Sequence, residues 1–465
     1  MSTDHVEVRA GVYADSVTLL QVSRQVQLLP GVATAQVAMA TPLNIEVLEG
    51  MGFALPARTT ADHLVVAVRL GDEGELDPVR AEVDRLLSER RTASGTADEE
   101  PPRTTASALL RQPGAVVLVS VPGASAAVEA MDALESGSDV MVFSDNVPLE
   151  QEVALKTRAT ERDLLVMGPD CGTAVLDGLG LGFANVVSPG PVGIVAASGT
   201  GCQQVLALLD RAGVGVTTAY GVGGRDLSAA VGARSTRTAL ARLDADPRVE
   251  LVLLVSKPPD PEVADLLTSY AAGLATPVVT ALLGSGRPDL TAATEDVLNA
   301  LGRPVPVWPV AGRAEPSGGS RLQGLFVGGT LKDESAAIVT DALVTPDRVA
   351  LVDFGDDAYT TGRAHPMIDP SLRLARLTEV LAEPDTAVVL LDVVLGHGAE
   401  PDPAAALAAV ITGARPPVVV SVVGSAHDPQ GREAQVSALV AAGAEVHLSH
   451  AGATRRALEL LDGGA

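Results

Sequence analysis

The chain has few cysteines and few aromatic residues for its length. Among 465 residues there are two cysteines, and aromatic residues make up 2%. The two cysteines, Cys171 and Cys202, cannot form a disulfide framework, which excludes the small proteins that depend on such bridges. Ala, Val, Leu and Gly dominate instead. This composition is typical of parallel sheets covered by helices.

The chain also lacks a long apolar run and an excess of basic residues. No apolar run reaches the roughly 18 residues needed to cross a bilayer, and the first residues lack the basic and apolar regions of a signal peptide. The formal net charge of −25 argues against nucleic acid or an anionic membrane as partner, because both bind basic patches. We expect a cytoplasmic protein whose acidity serves solubility.

The chain is rich in apolar runs that alternate with helical stretches of about 10–14 residues, a pattern that implies right-handed βαβ crossovers and parallel sheets. Its length suggests roughly three or four domains. Residues 91–104 and 311–320 lack hydrophobic periodicity and are expected to be linkers. The predicted fold is multidomain α/β, with a small α/β domain at 1–90, a Rossmann-like domain at 105–187, and flavodoxin-like domains at 188–310 and 321–465.

The most informative stretch is a glycine-rich turn between a predicted buried strand and a predicted helix. It consists of Ser198, Gly199, Thr200 and Gly201. In this arrangement free backbone N–H groups and the positive end of the helix dipole converge on one point, which suits a phosphate or carboxylate. The turn is not a P-loop, and Gln204 stands where a dinucleotide-binding turn needs glycine. The pattern fits a second interpretation equally well, in which the glycines serve only the geometry of the turn and no anion binds.

Further candidate residues lie in loops at the carboxyl ends of predicted strands, where open α/β sheets bind ligands. Lys257 is one of only three lysines; it is suited to neutralise a phosphate or carboxylate, and an ordinary surface lysine is the alternative. Arg225 is suited to grip a carboxylate, unless it pairs with Asp226 only to fix the loop. The remaining candidate substrate-binding residues are Asp145, Asn146, Gly168, Pro169, Asp170, Cys171, Gly223 and Gly224.

Several of these residues also have structural interpretations. Asp145 and Asn146 are residue types that commonly cap helix N-termini, and for both we favour capping of the following helix over ligand binding. Cys171 is more often a small packing residue than an activated thiol. His365 and Asp369 have no third ligand at a usable spacing, so we expect a structural or interface role for them and no metal site.

Taken together, the motifs of the chain resemble those of the FdrA family in order and spacing over essentially its whole length. These motifs are Phe143-Ser-Asp-Asn146, Met167-Gly-Pro-Asp-Cys-Gly-Thr173, Ala197-Ser-Gly-Thr-Gly201, Gly223-Gly-Arg-Asp-Leu227, Val255-Ser-Lys-Pro-Pro259, Gly328-Gly-Thr330, His365-Pro-Met-Ile-Asp369 and Leu391-Asp-Val-Val394. FdrA proteins are in turn similar to NDP-forming acyl-CoA synthetases such as succinyl-CoA synthetase. Residues 321–465 resemble the carboxyl-terminal domain of the synthetase β subunit.

Three departures from the synthetase pattern weigh against a phosphoryl relay. Residues 101–320 contain no histidine, whereas the synthetases relay phosphate through one. No stretch has the pattern of an ATP-grasp domain. Lys257 stands where that family has a carboxylate.

The resemblance implies a subunit of an oxamate carbamoyltransferase in allantoin breakdown. Lys257, Arg225 and Asp226 would then be catalytic, and carbamoyl phosphate and a small carboxylate such as oxamate would bind without cofactor or metal. We expect an oligomer with other subunits of the same operon. One alternative is an acyl-CoA synthetase subunit, and another is a non-catalytic scaffold or ligand-sensing subunit.

Overall fold

The computed structural model describes residues 3–14, 16–56, 58–71, 74–92, 102–342, 345–360 and 364–463. Two compact units account for these residues, the first consisting mainly of residues up to 104 and the second of most of the remainder. The predicted multidomain α/β fold with parallel sheets is confirmed. Within these ranges, none of the helices has the length and apolar character that a membrane span requires.

The first unit is a three-stranded antiparallel sheet with three helices. Strand β3 lies between β1 and β2 and is antiparallel to both. Its aliphatic sequence is buried almost throughout, as expected for a central strand. The elements are β1 (Thr3–Arg9), α1 (Ser16–Gln27), β2 (Val32–Met39), α2 (Pro42–Gly50), β3 (Leu64–Leu70) and α3 (Leu76–Thr92).

The second unit begins with a small parallel sheet of order β4-β5-β6. Each strand is only two or three residues long, and helices follow the first two strands. The elements are α4 (Thr105–Arg111), β4 (Val117–Val119), α5 (Gly123–Glu135), β5 (Val140–Val142), α6 (Leu149–Glu161) and β6 (Val166–Met167).

A six-stranded sheet follows, with the order β12-β11-β9-β10-β7-β8. Four strands are parallel, and the hairpin β7–β8 joins antiparallel to β10. The hairpin β7–β8 lies before residue 188, where we expected the domain at 188–310 to begin. The sheet therefore contains strands from both the 105–187 and the 188–310 ranges. The elements are β7 (Thr173–Leu176), β8 (Leu179–Gly182), β9 (Val192–Ala197), α7 (Gly199–Arg211), β10 (Val216–Gly221), α8 (Arg234–Ala245), β11 (Leu251–Ser256), α9 (Pro261–Ala271), β12 (Val278–Leu282) and α10 (Leu290–Ala300).

A second six-stranded sheet completes the unit, with the order β13-β18-β17-β16-β14-β15. Its fully buried strand β16 packs in an aliphatic core with few aromatic rings. The elements are β13 (Val310–Ala311), β14 (Arg321–Phe326), α11 (Gly329–Asp341), β15 (Val349–Asp353), α12 (Asp357–Thr360), α13 (Ser371–Ala382), β16 (Thr386–Val394), α14 (Pro403–Ile411), β17 (Val418–Val423), α15 (Arg432–Ala441), β18 (Glu445–His447) and α16 (His450–Asp462).

A buried group of charges joins helix α6 to the loop after β10. Lys156 Nζ lies 2.8 Å from Glu152 Oε1, 2.8 Å from Asp226 Oδ1 and 2.9 Å from the carbonyl oxygen of Val222. The other oxygen of Asp226 accepts a hydrogen bond of 2.8 Å from the backbone N–H of Thr236, in the first turn of α8. The side chains of Lys156 and both carboxylates are almost inaccessible to solvent.

This network gives Asp226 and Arg225 structural contacts, while their expected catalytic roles stay predictions. Asp226 is fully buried and uses both oxygens to hold Lys156 and α8. Arg225 does not pair with its neighbour: its Nε lies 2.8 Å from Glu152 Oε2, and its Nη2 donates to the carbonyl of Val147. Both residues therefore help to fix the loop after β10.

Replacing Lys156 with methionine should lower the free energy of unfolding by about 3–5 kcal/mol, because it leaves the buried carboxylate of Asp226 without a cation and that of Glu152 with Arg225 alone. The matched control is Arg248→Met, whose side chain is 58% exposed in its ion pairs and should contribute at most about 1 kcal/mol. Denaturant titration of both variants measures the difference. Equal losses would show that the buried network does not stabilise the fold in this way.

Candidate phosphate site at two helix N-termini

The turn predicted from the sequence lies where the fully buried strand β9 runs into helix α7. Ser198 is extended and caps the helix: its Oγ accepts a 2.9 Å hydrogen bond from the N–H of Gly201. A methyl group on Gly201 would lie 2.4 Å from that same oxygen, so this position requires glycine. The N–H groups of Gly199 and Thr200 belong to the first turn, where a helix offers them no carbonyl partner.

A second helix N-terminus has the same construction in the last sheet. Strand β14 leads through Gly328 into α11, whose first residues are Gly329 and Thr330. The buried carboxylate of Asp392 accepts the N–H groups of Val327 and Gly328 at 2.8 and 2.9 Å. These bonds fix the entry of α11 and leave the N–H groups of its first turn without helical carbonyl partners.

The two helix N-termini meet directly. Ser198 Oγ lies 2.7 Å from Thr330 Oγ1, and both side chains are buried. A methyl group on Gly328 would lie 2.7 Å from Thr200 Oγ1 and 2.9 Å from Thr200 Cβ, so the close approach requires glycine here too. Each helix end carries about half a positive charge. Their junction is therefore suited to an anion.

Lys257 and Asp353 add opposite charges to this junction. A methyl group on Gly329 would lie 2.9 Å from Lys257 Nζ and 2.4 Å from Asp353 Oδ2. Asp353 ends β15, and its Oδ1 accepts a 2.8 Å hydrogen bond from the N–H of Gly355. Burial raises the pKa of Asp353 above its ordinary value, although Lys257 and Lys332 oppose the shift.

His365 belongs to the same neighbourhood. A methyl group on Gly355 would lie 2.8 Å from His365 Nε2 and 3.1 Å from Asp353 Oδ1. His365 Nδ1 accepts from the N–H of Met367 at 3.2 Å, so the neutral ring carries its proton on Nε2. Burial lowers the pKa of His365 to about 4. His365 is therefore neutral, and its Nε2–H can donate a hydrogen bond on the side of the junction where Asp353 lies.

Thr173, where the loop after β6 ends and β7 begins, lies next to the junction. This residue was not among the site candidates predicted from the sequence. A methyl group on Gly199 would lie 3.7 Å from Thr173 Oγ1. Cys171, in the same loop, is buried, donates weakly to the carbonyl of Thr173 and has a pKa raised by burial to about 12. It is thus a neutral packing residue. Gly223 packs with its Cα against the backbone of Gly168 and Pro169.

The remaining candidates have exposed positions in the loops. Asn146 and Asp170 adopt left-handed backbone conformations, with φ of 53° and 56°. Asp145 and Gly224 are likewise exposed. Asp369 is exposed as well, and its Oδ1 accepts from the N–H of Ser371 at 3.0 Å, so it shapes the start of α13.

Comparison with known proteins identifies the family. Residues 325–460 match the family described as CoA-ligase, and residues 1–103 match "AllF, heavy metal-associated domain". The chain is 36% identical over 442 residues to the uncharacterized protein YahF of Escherichia coli strain K12, covering 86% of this chain and 85% of that protein. The chain belongs to the FdrA-like family of CoA-ligase-related proteins. Its predicted membership is confirmed.

Parts of this FdrA-like chain are also similar to known ligase subunits. It is 25% identical over 181 residues to malate–CoA ligase subunit alpha of Methylorubrum extorquens, and this match covers 37% of the chain and 59% of that subunit. It is 32% identical over 111 residues to a succinate–CoA ligase (ADP-forming) subunit alpha 2 of Archaeoglobus fulgidus, over 23% and 39%. A dinucleotide-forming acetyl-coenzyme A synthetase 1 of Ca. Korarchaeum cryptofilum aligns over 79% of the chain with 14% identity and a TM-score of 0.31.

These matches correct the expected enzyme class. The similarity is to CoA ligases, so the prediction of a carbamoyltransferase is wrong. The expected links with oxamate and allantoin receive no support from the matches. The acyl-CoA synthetase alternative is favoured instead.

The first domain of this FdrA-like protein does not fit a thiolate metal site, although heavy metals appear in the description of its family. A thiolate site needs cysteine, and the two cysteines of the chain are Cys171 and Cys202, outside residues 1–103. The described residues also contain no cluster of three His, Cys, Asp or Glu side chains that could hold a metal ion.

Replacing Lys257 with glutamate should weaken phosphate binding by about 10²-fold or more, because one favourable charge is lost and a repulsive one is added. Lys257→Met should weaken phosphate binding less than Lys257→Glu does, and neither change should alter the melting temperature much. Calorimetric titration with inorganic phosphate and thermal melting measure the two effects. Unchanged phosphate affinity in Lys257→Glu would remove this residue from the site.

Replacing Gly328 with alanine should separate the two helix N-termini, since the added methyl group meets Thr200. We expect a loss of about 1–3 kcal/mol in stability, as for overpacking, together with weaker phosphate binding. Gly273→Ala is the matched control, because its nearest neighbour, the carbonyl oxygen of Tyr270, would lie at 3.4 Å from the new methyl group. If both variants melt and bind alike, the close approach of the helices is not required.

Proposed function

We propose that the chain is the phosphate-handling subunit of a CoA-ligase-type enzyme. It holds the phosphoryl group of inorganic phosphate or of an acyl phosphate between the N-termini of α7 and α11. The observation that carries this proposal is the 2.7 Å contact between Ser198 Oγ and Thr330 Oγ1, which brings two positive helix ends together beside Lys257. The family match to CoA ligases supports the class of reaction.

The proposed reaction exchanges a thioester for an acyl phosphate. A phosphate oxygen attacks the thioester carbonyl of an acyl-CoA, a carbon–oxygen bond forms, the carbon–sulfur bond breaks, and CoA leaves as the thiol. The N–H groups of Gly199, Thr200, Gly329 and Thr330 and the ammonium of Lys257 would hold the phosphate and its developing charge.

Asp353 is proposed to act as the proton acceptor in this step. Its raised pKa favours uptake of the proton that the attacking phosphate loses, and the resulting carboxylic acid can return it to the departing sulfur. The neutral His365 beside it would orient this carboxyl group through Nε2–H. The step therefore balances without a further reactant.

The nucleotide step of an NDP-forming synthetase requires a partner subunit in this proposal. The sequence shows no stretch with the pattern of an ATP-grasp domain. We therefore propose an oligomer in which this chain exchanges an acyl phosphate or phosphate with a nucleotide-binding partner. The malate and succinate ligase subunits suggest short dicarboxylic acids as first substrates to try.

The direct test is phosphate-dependent release of CoA from succinyl-CoA by the chain together with its operon partners. Free thiol and acyl phosphate, followed by a thiol reagent and by ³¹P NMR, should appear together. Thr330→Val should slow the reaction about tenfold, since one hydrogen bond at the junction is lost. Thr340→Val changes an exposed threonine of the same helix whose hydroxyl donates to the carbonyl of Ala336, and it should leave the rate unchanged.

A complete complex that releases no CoA with succinyl-CoA or malyl-CoA, alongside an active control ligase, would overturn the proposed reaction. Equal slowing by the two threonine variants would show instead that the effect comes from the helix rather than from the junction.

A further inference from the structure

The first turn of α11 is held before the helix begins but needs a second point of attachment. Asp392, in β16, binds the N–H groups of Val327 and Gly328, which precede the helix. These bonds fix where α11 starts, and they leave the rotation of the helix about its own axis to later contacts. That rotation decides where Thr330 Oγ1 lies, because a helix places each side chain at a fixed angle around its axis.

His450, the first residue of α16, contacts α11 directly after Thr330. Its Nε2 lies 2.9 Å from the carbonyl oxygen of Leu331 and 2.9 Å from Ser335 Oγ, one turn further along the helix. The side chains of His450, Leu331 and Ser335 are all inaccessible to solvent. One imidazole nitrogen thus contacts two successive turns of the helix that carries Thr330.

The hydrogen bonds of the His450 ring define its protonation. A carbonyl oxygen can only accept, so Nε2 carries the hydrogen that is donated to Leu331. Nδ1 lies 2.7 Å from Ser421 Oγ, in β17, and accepts the hydroxyl hydrogen. Burial lowers the pKa of His450 to about 4. The ring is therefore neutral at pH 7, with one donor for the helix and one acceptor for the sheet.

The other polar groups around the ring are also paired. Ser335 Oγ lies 2.9 Å from Thr454 Oγ1, and the hydroxyl of Thr454 donates to the carbonyl of His450 at 3.1 Å. The ring of Phe326, at the end of β14, packs edge-on against the imidazole with 5.6 Å between the ring centres. A buried polar network whose members are all paired favours a single arrangement of the elements that it joins. Here those elements are α11, α16 and β17.

We propose that His450 is a positioning residue of the phosphate junction. By donating to the carbonyl of Leu331 it fixes the rotation of α11, and this keeps Thr330 Oγ1 against Ser198 Oγ. The inference rests on the proposed phosphate-binding function and adds to it a residue from a further helix, α16. His450 acts through α11 rather than by contact with the anion. An apolar side chain could fill the same space but could not hold the helix by its carbonyl.

Two amide variants separate the roles of the two ring nitrogens. The amide nitrogen in His450→Gln reaches about as far as Nε2 and can still donate to Leu331, whereas the amide in His450→Asn reaches only as far as Nδ1. Calorimetric titration with inorganic phosphate should give an affinity within about twofold of the parent for His450→Gln. His450→Asn should bind about tenfold more weakly, since one hydrogen bond to the helix is lost. Thr386→Val is the control for stability: it removes a buried hydrogen bond at the start of β16, where Thr386 pairs with Arg321 at the strand ends opposite the junction. It should lower the melting temperature and leave phosphate affinity unchanged.

Nitrogen NMR of the parent chain, labelled in its histidine rings, tests the contact even where His450→Asn does not fold. The signal of His450, identified by its loss in His450→Gln, should show a neutral ring with its hydrogen on Nε2 at pH 7. A charged ring, a hydrogen on Nδ1, equal phosphate affinities in the Asn and Gln variants, or an equal loss of affinity in Thr386→Val would overturn the positioning role while the phosphate site stands. Failure of the parent chain to bind phosphate is a different result, which would overturn the proposed phosphate site and the role of His450 with it.

Discussion

The contact between Ser198 and Thr330 is the constraint on which the site depends. It joins the N-termini of two helices that belong to different sheets, and each end carries about half a positive charge. Two such ends repel each other unless an anion or a negative side chain lies nearby. The close approach also requires the absence of side chains at Gly201 and Gly328. Glycine, helix dipoles and hydroxyl groups together therefore make a junction that is suited to an anion and that neither sheet forms alone.

Buried polar contacts hold the two large sheets in register around this junction. Gln203 and Gln204, which follow the turn on α7, donate to the carbonyls of Leu395 and Leu448 at 3.1 and 3.2 Å. In the last sheet, Arg373 bonds to the buried Asp392, which in turn fixes the entry of α11. Because these bonds are shielded from water, breaking one leaves a costly unsatisfied group. Stability and the geometry of the site thus depend on the same residues.

Local sequence pattern was enough to find one half of the junction. The apolar run of β9, the glycine turn and the amphipathic helix follow one another, so the strand, turn and helix around Ser198–Gly201 could be predicted, and anion binding there stays a prediction. The strand β14 was not predicted, because Gln323 and Gly324 interrupt its apolar run, although both are buried against the neighbouring structure. Thr330 therefore had no predicted place beside the turn. The contact of Asp226 with Lys156 could not be predicted, because the two residues are 70 positions apart in the chain.

Crystallography of the protein with inorganic phosphate is the sharpest test of the proposed phosphate site. We expect a tetrahedral anion at the junction, with oxygen atoms about 3 Å from backbone nitrogens of the first turns of α7 and α11 and within reach of Lys257 Nζ. An empty junction at phosphate concentrations that saturate binding in solution, or phosphate bound only elsewhere, would contradict it.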